Sequence, residues 1–320
     1  MSAVLRALLG AMGFAVVACV GAQEAPIRIL VGFPPGGGSD IIARLAAERM
    51  RVAFAAPVVV ENKPGAGGML AAEALKNAPP DGKTLMVSPI AVTIFAPLVS
   101  SKLRYDPAKD FAPVSLAAGY QLALAVGPAS PAKTLKEYIE WVRADRARGA
   151  YGVPTIGGPP YFFGVMFARA AKLELVSVPY KGGPPLVADL VGGQVPAAIT
   201  SLADFASHRQ AGKLRVLGTS GAKRSAIAPD VPTFKELGFA EIEGDGWQAF
   251  HTTAGTPRAT VERLSAVIAS AIRMPEVSEK LLAIGLEPVG STAEELASRM
   301  AADLAKWAPI VKASGYRADQ

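Results

Sequence analysis

A short apolar run, Ile27 to Val31, leads directly into Gly32-Phe33-Pro34-Pro35-Gly36-Gly37-Gly38-Ser39-Asp40. Next comes Ile41-Ile42-Ala43-Arg44-Leu45-Ala46, where apolar residues recur at helical spacing. Strand, glycine-rich turn, helix is the plan, and it commits the stretch to an α/β unit. Three consecutive glycines leave backbone N–H groups uncovered, and Ser39 is placed to cap the helix that follows. A helix N-terminus carries a partial positive charge, so the turn is a ready seat for an anion. A tight turn with no ligand fits the same residues, and both readings are open at this level.

The pattern repeats. Pro57-Val58-Val59-Val60-Glu61 reads as a second strand, Asn62 to Gly68 as a second glycine turn, and Met69 to Lys76 as a second helix. Asp81-Gly82 turns the chain into a third strand, Thr84 to Val87, ended by Ser88-Pro89. Such alternation predicts right-handed βαβ units on a parallel sheet. Ligands of such sheets bind beyond the carboxyl ends of the strands, where the strand order switches, which points to loops 33–40 and 88–93.

A second set of elements begins at Gln121. Strand Gln121–Val126 is followed by a helix from Thr134 to about Arg146, opened by the capping box Thr134-Leu135-Lys136-Glu137. A second Gly/Pro loop, Tyr151 to Pro160, precedes a helix from Tyr161 to Ala171. Strand Val176–Tyr180, helix Pro184–Val191 and short strands at Ala197–Thr200 and Leu214–Thr219 complete this unit. The chain then returns through a strand at Trp247–Thr252. A helix follows Thr256-Pro257, with Pro at its first position, and a last helix opens with overlapping capping boxes at Ser291-Thr292-Ala293-Glu294-Glu295. Two α/β lobes with a C-terminal return and a cleft between them are consistent with this order; the pattern leaves lobe assignment open, and the division expected is residues 23–121 plus 246–320 against 122–245.

At 320 residues, 51% apolar and 19% charged, the chain can bury a sizeable core. Its first 22 residues, with Arg6 ahead of an apolar stretch from Ala7 to Val20, read as a secretory signal peptide cleaved after Val20-Gly21-Ala22. Cys19 is the only cysteine, so the mature chain has no disulfide or cysteine metal site. Lipidation at Cys19, after Val16-Val17-Ala18, is the alternative. Loss of Arg6 lowers the net charge from +6 to about +5, a modest field that favours anionic small ligands. The basic residues are scattered, which argues against nucleic-acid binding.

Catalytic patterns fail in turn. His208 and His251 lack metal-ligand spacing. No Gly-x-Ser-x-Gly elbow is present. Gly82-Lys83-Thr84 ends like a phosphate loop, but Asn77 stands where the first glycine is required. Gly32, Gly36 and Gly38 do not have dinucleotide-fold spacing. Asp40 faces Arg44 at i,i+4, which predicts an ion pair in place of acid–base chemistry.

An ordered series of blocks then resembles one family. Phe33 to Asp40 with Arg44, Val60 to Gly68, Pro80 to Leu85, Tyr105 to Phe111 and Val178 to Gly182 come in order. Asp189 to Val195, Gly212 to Arg215, Pro229 to Thr233 and Ala254 to Pro257 complete the series, which covers nearly all of residues 26–320. These blocks resemble the periplasmic solute-binding receptors of tripartite tricarboxylate transporters, the Bug proteins. The resemblance implies a two-domain type II periplasmic-binding-protein fold that closes on its ligand, no catalysis and no cofactor. It further implies a small organic carboxylate or related compound as ligand, the membrane components of a tripartite transporter as partners, a monomer and a periplasmic location. A receptor feeding a membrane signalling protein, or a secreted hydrolase, are the alternatives.

The resemblance also implies that the ligand carboxylate is gripped between two loops. The first supplies Phe33, Pro35, Gly36, Gly37, Gly38, Ser39 and Asp40, with Ser88 nearby. The second supplies Gly152, Thr155, Ile156, Gly157, Gly158 and Tyr161. This second loop departs from the family pattern: Val153 and Gly158 stand where serines are expected, Tyr161 replaces a histidine, and Pro159 and Pro160 remove two N–H donors. That departure predicts a ligand with a more apolar or aromatic body, lined by Tyr161, Phe162 or Phe163 unless these rings are core.

Overall fold

The computed structural model describes residues 25–319, so the signal-peptide and Cys19 expectations lie outside the described residues. The first part of the chain runs β1 (Ile27–Val31), α1 (Gly38–Phe54), β2 (Val58–Asn62), α2 (Met69–Lys76), β3 (Thr84–Pro89), α3 (Ala96–Val99), α4 (Pro107–Asp110) and β4 (Phe111–Tyr120). The middle runs β5 (Leu122–Val126), α5 (Leu135–Ala144), β6 (Ala150–Val153), α6 (Pro159–Ala171), β7 (Val176–Pro179), α7 (Gly183–Val191), β8 (Ala197–Ser201), α8 (Leu202–Gln210) and β9 (Arg215–Thr219). The return runs β10 (Gly246–Thr253), α9 (Arg258–Ile272), α10 (Pro275–Ala283), β11 (Glu287–Pro288) and α11 (Ala293–Ser314).

Two sheets result, with strand orders β11-β4-β10-β3-β1-β2 and β7-β6-β8-β5-β9. Neither is purely parallel, contrary to expectation. β1 pairs parallel with β2 and β3, but β10 runs antiparallel between β3 and β4. Likewise β6 pairs parallel with β7 and β8, while β5 is antiparallel to β8 and β9. Each sheet therefore has three adjacent parallel strands, then one reversed strand, β10 or β5, then a strand, β4 or β9, that runs with the trio again; β11 adds a second reversed strand at the edge of the first sheet. The antiparallel members come from chain crossing between the halves, which pattern reading of single segments does not register. β4 is the longest strand, ten residues, and pattern reading passes over it because Pro113 and small residues interrupt its apolar run.

β1 and β6 hold the same place, each the middle strand of a parallel trio and each followed by a glycine-rich loop and a helix. In the first sheet, α1 covers one face with Ile42, Ala43, Ala46 and Met50 against Ile29, Val31, Leu85 and Val87. α2 covers the other face with Ala71, Ala72 and Leu75 against Leu30 and Met86. Helices on opposite faces of adjacent strands put the switch in strand order at the end of β1.

A third cluster unites the halves. It contains Phe95, Trp247 and Ala249 from the first-sheet half, Leu124, Phe162 and Phe163 from the second, and Trp307 from α11. Phe95 stacks on Phe162 at 5.4 Å between centroids and packs against Trp307 at 5.0 Å. Trp247 Nε1 donates to Asp303 at 2.7 Å, and Arg299 Nε donates to the same carboxylate at 2.8 Å, so α11 is pinned to β10 by a satisfied buried charge.

Three helix starts differ in detail from expectation. Thr292 forms a full capping box with Glu295, but Ser291 instead accepts from Leu116 N and donates to the Thr292 carbonyl. Thr134 caps Glu137 N, while the Glu137 carboxylate accepts from Lys133 N, so only half of that box forms. Pro257 is the N-cap of α9 and Arg258 its first residue. At β3, Ser88-Pro89 continues the strand because both pair with β10.

Candidate functional site

The first loop is built from its backbone outward. Gly32 lies so near the Ala66–Gly68 turn that a Cβ on it would stand 2.5 Å from Gly68 Cα. Gly68 in turn supports the Phe33 ring, which a Cβ there would meet at 3.1 Å. The second glycine turn of the sequence is thus the buttress of the first.

Asp40 is the staple of this loop. One of its oxygens accepts from Gly36 N and Arg44 Nε, both at 2.9 Å, and the other accepts from Asn62 Nδ2 at 2.9 Å. Asn62 Nδ2 also donates to the Phe33 carbonyl at 3.1 Å. Burial opposes ionisation of Asp40, but Arg44, Gly36 and Asn62 outweigh it and bring its pKa down to about 2. The expected Arg44 ion pair is present. With its oxygens already engaged and only 3% exposure, Asp40 shapes the loop and leaves no face for a ligand.

Ser39 does not cap α1. The helix starts at Gly38 with Gly37 as N-cap and no side-chain cap, and the Ser39 hydroxyl donates to Gln248 Oε1 at 2.8 Å. Among the described residues, no protein acceptor takes the N–H groups of Gly37, Gly38 or Ser39. Helices ordinarily satisfy their first amides by a cap or by water. Here the same three residues line a cavity of about 370 Å³, together with Phe33, Pro34, Pro35, Pro89 and Gln248. The cavity sits where strand order switches. Gln248 is the residue that pattern reading missed: it comes from β10, 209 residues from Ser39, and no local motif marks it.

Ser88 stays buried at 2% and does not line this cavity. It pairs with Ala249, while its neighbour Pro89 pairs with Gln248, so alternation along the strands turns Ser88 to the opposite face.

The second loop follows β6 and opens α6, with Gly158 as N-cap and prolines at the first two helical positions. Thr155 is exposed, and Ile156, Gly157 and Tyr161 are half-buried. Among the described residues, the N–H groups of Thr155, Ile156 and Gly157 have no protein acceptor. Gly152, however, is a packing residue inside β6, where a Cβ would lie 2.2 Å from Leu186 Cδ1. Phe162 and Phe163 are core, both 0% exposed, with Phe163 edge-on to Phe234. Tyr161 alone of the three rings reaches the surface. None of Gly152 to Tyr161 lines the first-loop cavity, so the structure does not bring the two loops into one cavity.

One half-buried carboxylate, Asp245, stands just before β10, where the chain returns to the first sheet. Asp245 accepts from the Ser220 hydroxyl at 2.7 Å, and that oxygen accepts from Leu122 N at 2.9 Å. Burial is the main cause that pushes the Asp245 pKa up to about 6. Among the described residues no group of His, Cys, Asp and Glu is placed to hold a metal ion. His251 is buried, with its pKa lowered to about 4 chiefly by desolvation. A larger hollow of about 1270 Å³ runs along α9 and α11 past Arg258, Ala269 and Ala297. None of its lining residues belongs to either glycine-rich loop, whereas the smaller cavity lies beyond the carboxyl end of β1 at the switch in strand order, so the candidate site is the smaller cavity.

The chain has relatives among known proteins. Residues 42–316 match the family model described as "Tripartite tricarboxylate transporter family receptor". The chain is 31% identical to Protein BugT of Bordetella pertussis over 91% of this chain and 90% of that one. An R. palustris protein solved with adipate superposes with a TM-score of 0.78 at 29% identity, covering 91% of this chain and 98% of that one. MatC from Rhodopseudomonas palustris with bound malate gives 0.74 at 28%, covering 90% and 99%. With the family's members being binding proteins and not enzymes, the chain belongs to the tripartite tricarboxylate transporter receptor family and is a solute-binding protein.

Proposed function

We propose that this protein is a periplasmic receptor that captures a small organic carboxylate and presents it to the membrane components of a tripartite transporter. The observation that carries the reading is the uncapped start of α1, where Gly37, Gly38 and Ser39 line the cavity and their N–H groups have no protein acceptor among the described residues. A carboxylate seated there gains charge-assisted hydrogen bonds of roughly 1.5–3 kcal/mol each and up to about 2 kcal/mol from the helix terminus. Four or five such contacts exceed the roughly 8 kcal/mol of micromolar binding, with a margin for ordering costs. In this reading the two sheet halves are lobes, and the second loop closes over the ligand from the far side with the amides of Thr155, Ile156 and Gly157.

Pro159 and Pro160 cut the donors of the second loop, and Tyr161 adds a half-exposed ring, so the ligand is a carboxylate with an apolar or aromatic body. Of two similar proteins, one solved with adipate and one with malate, adipate with its methylene chain is the ligand of the expected kind and malate with its hydroxyl is the contrasting polar one. A thermal-shift and calorimetric series over adipate, malate, citrate and phenylacetate tests it, with adipate or phenylacetate expected to give the largest shift. A ligand at 100 times its Kd stabilises by about 2.7 kcal/mol. Largest shifts from citrate or malate would overturn the apolar-body assignment, and absence of a shift from every carboxylate would overturn the anion seat. Mass spectrometry of compounds released from gently purified protein names the natural ligand.

A further inference from the structure

The segment that follows α11 returns to the second loop. Tyr316 is half-buried, and its ring lies against the open face of Gly157: a Cβ on Gly157 would stand 2.3 Å from Tyr316 Cε1 and 2.9 Å from its Oη. Gly157 has φ +77, so its left-handed backbone and its missing side chain are both needed for the ring to fit. Tyr316 also packs on Tyr161, 5.6 Å between centroids, and on Phe162 at 6.2 Å. Ile156 packs against the large core cluster, but the backbone of the loop makes few hydrogen bonds. Gly182 N donates to the Pro154 carbonyl at 3.0 Å, but the amides of residues 155–157 have no protein acceptor among the described residues.

The segment carrying Tyr316 is itself anchored. Ala318 N donates to the Val99 carbonyl at 2.9 Å. The Asp319 carboxylate accepts from Ser100 Oγ at 2.7 Å, Ser101 N at 2.6 Å and Ser101 Oγ at 2.9 Å. Those serines lie downstream of β3, whose Pro89 lines the first-loop cavity. A few residues thus tie the first-sheet half to the corner of the second loop.

We propose that Tyr316 is a positioning residue of the binding site: its ring sets the Gly157 turn, and with it the direction of the free amides of the second loop, while Asp319 holds the ring in place. This rests on the two-loop reading of the site given under the proposed function. Tyr316 touches the loop and acts through it.

Backbone 15N relaxation of the ligand-free protein and calorimetry with adipate test the proposal on Tyr316→Ala, Tyr316→Phe and Asp319→Ala. In Tyr316→Ala, order parameters at Thr155 to Gly158 are expected to fall from about 0.85 to below about 0.6. Those at Gly37 to Ser39 stay unchanged, and adipate affinity drops at least about tenfold, or about 1.4 kcal/mol. Tyr316→Phe keeps the ring and stays within about threefold of wild type; Asp319→Ala, which touches no loop residue, gives the same signature at smaller size. Should Tyr316→Ala fail to fold, Asp319→Ala decides the question. Unchanged order parameters at residues 155–158 overturn the proposal, and so does a mobile loop with unchanged adipate affinity. If the wild-type protein binds no carboxylate, the receptor reading fails instead, and the relaxation data alone decide whether Tyr316 sets the loop.

Discussion

Asp40 shows how one buried carboxylate fixes the geometry of a loop made mostly of glycine and proline. Its pKa of about 2 lies below the ordinary value of 3.8, so the stabilisation is full above pH 4 and is lost as pH falls toward 2. Asp40→Asn is expected to lose about 2 kcal/mol at pH 7 and to flatten that part of the acid denaturation curve. Two other groups act in opposite senses between pH 4 and 6. His251 has a pKa lowered to about 4, so stability falls as pH drops from 6.5 and the imidazole is forced to charge in the core. Asp245 has a pKa raised to about 6, so its contribution is full below pH 4 and lost as pH rises through 6. The two slopes oppose each other across that range. Asp245→Asn is expected to uncover the His251 slope, about 1.4 kcal/mol per pH unit, in urea titrations at pH 4.5, 5.5 and 6.5. A stability profile for that variant with the same slope as the wild type's would show that the opposition is absent.

Among the elements, the loop–helix unit at the start of α1 depends on a second loop–helix unit for its shape. Gly32 touches the backbone of Gly68, and backbone cannot step aside as a long side chain can. Gly32→Ala is therefore expected to cost about 1–3 kcal/mol by overpacking and to weaken carboxylate binding, since the same strain moves Phe33 and the amides beyond it. Thr292→Ala is the contrasting case. It removes a capping box whose residues, Thr292 and Glu295, do not line the cavity, so a loss of about 1 kcal/mol with unchanged binding is expected by denaturation and calorimetry. The strand, turn and helix of the first unit were legible because its periodicity is local. The helix start was misplaced by its best capping residue: Ser39 is committed to Gln248, a partner that exists only when β10 returns beside β3.

Across the whole molecule, the cluster containing Phe95, Phe162, Trp247 and Trp307 makes one core out of residues from both sheets and α11. Phe162→Ala is expected to cost about 3–5 kcal/mol and to lower a single calorimetric transition, because neither half retains its packing without the other. Two separate transitions in that variant would mean that the halves are energetically independent. The same core joins two sheets of similar layout, in which the loops after β1 and after β6 occupy equivalent places.

By itself the sequence determined what short-range physics dictates. Glycine-rich turns between apolar runs and amphipathic stretches set the β1–α1 and β6–α6 units, the absence of catalytic spacing argued against enzyme chemistry, and the ordered blocks pointed to the receptor family. Tertiary structure alone decided which of those residues meet. It turned Asp40 inward as a staple, buried Gly152, Phe162 and Phe163 in the core, and reversed β10 to bring Gln248 to Ser39. It also carried Tyr316 back to Gly157 from the far side of α11. Those contacts join residues up to about two hundred positions apart. Spacing along the chain carries no signal for them, because they arise from the packing of sheets and helices whose order is set only when the whole chain has folded.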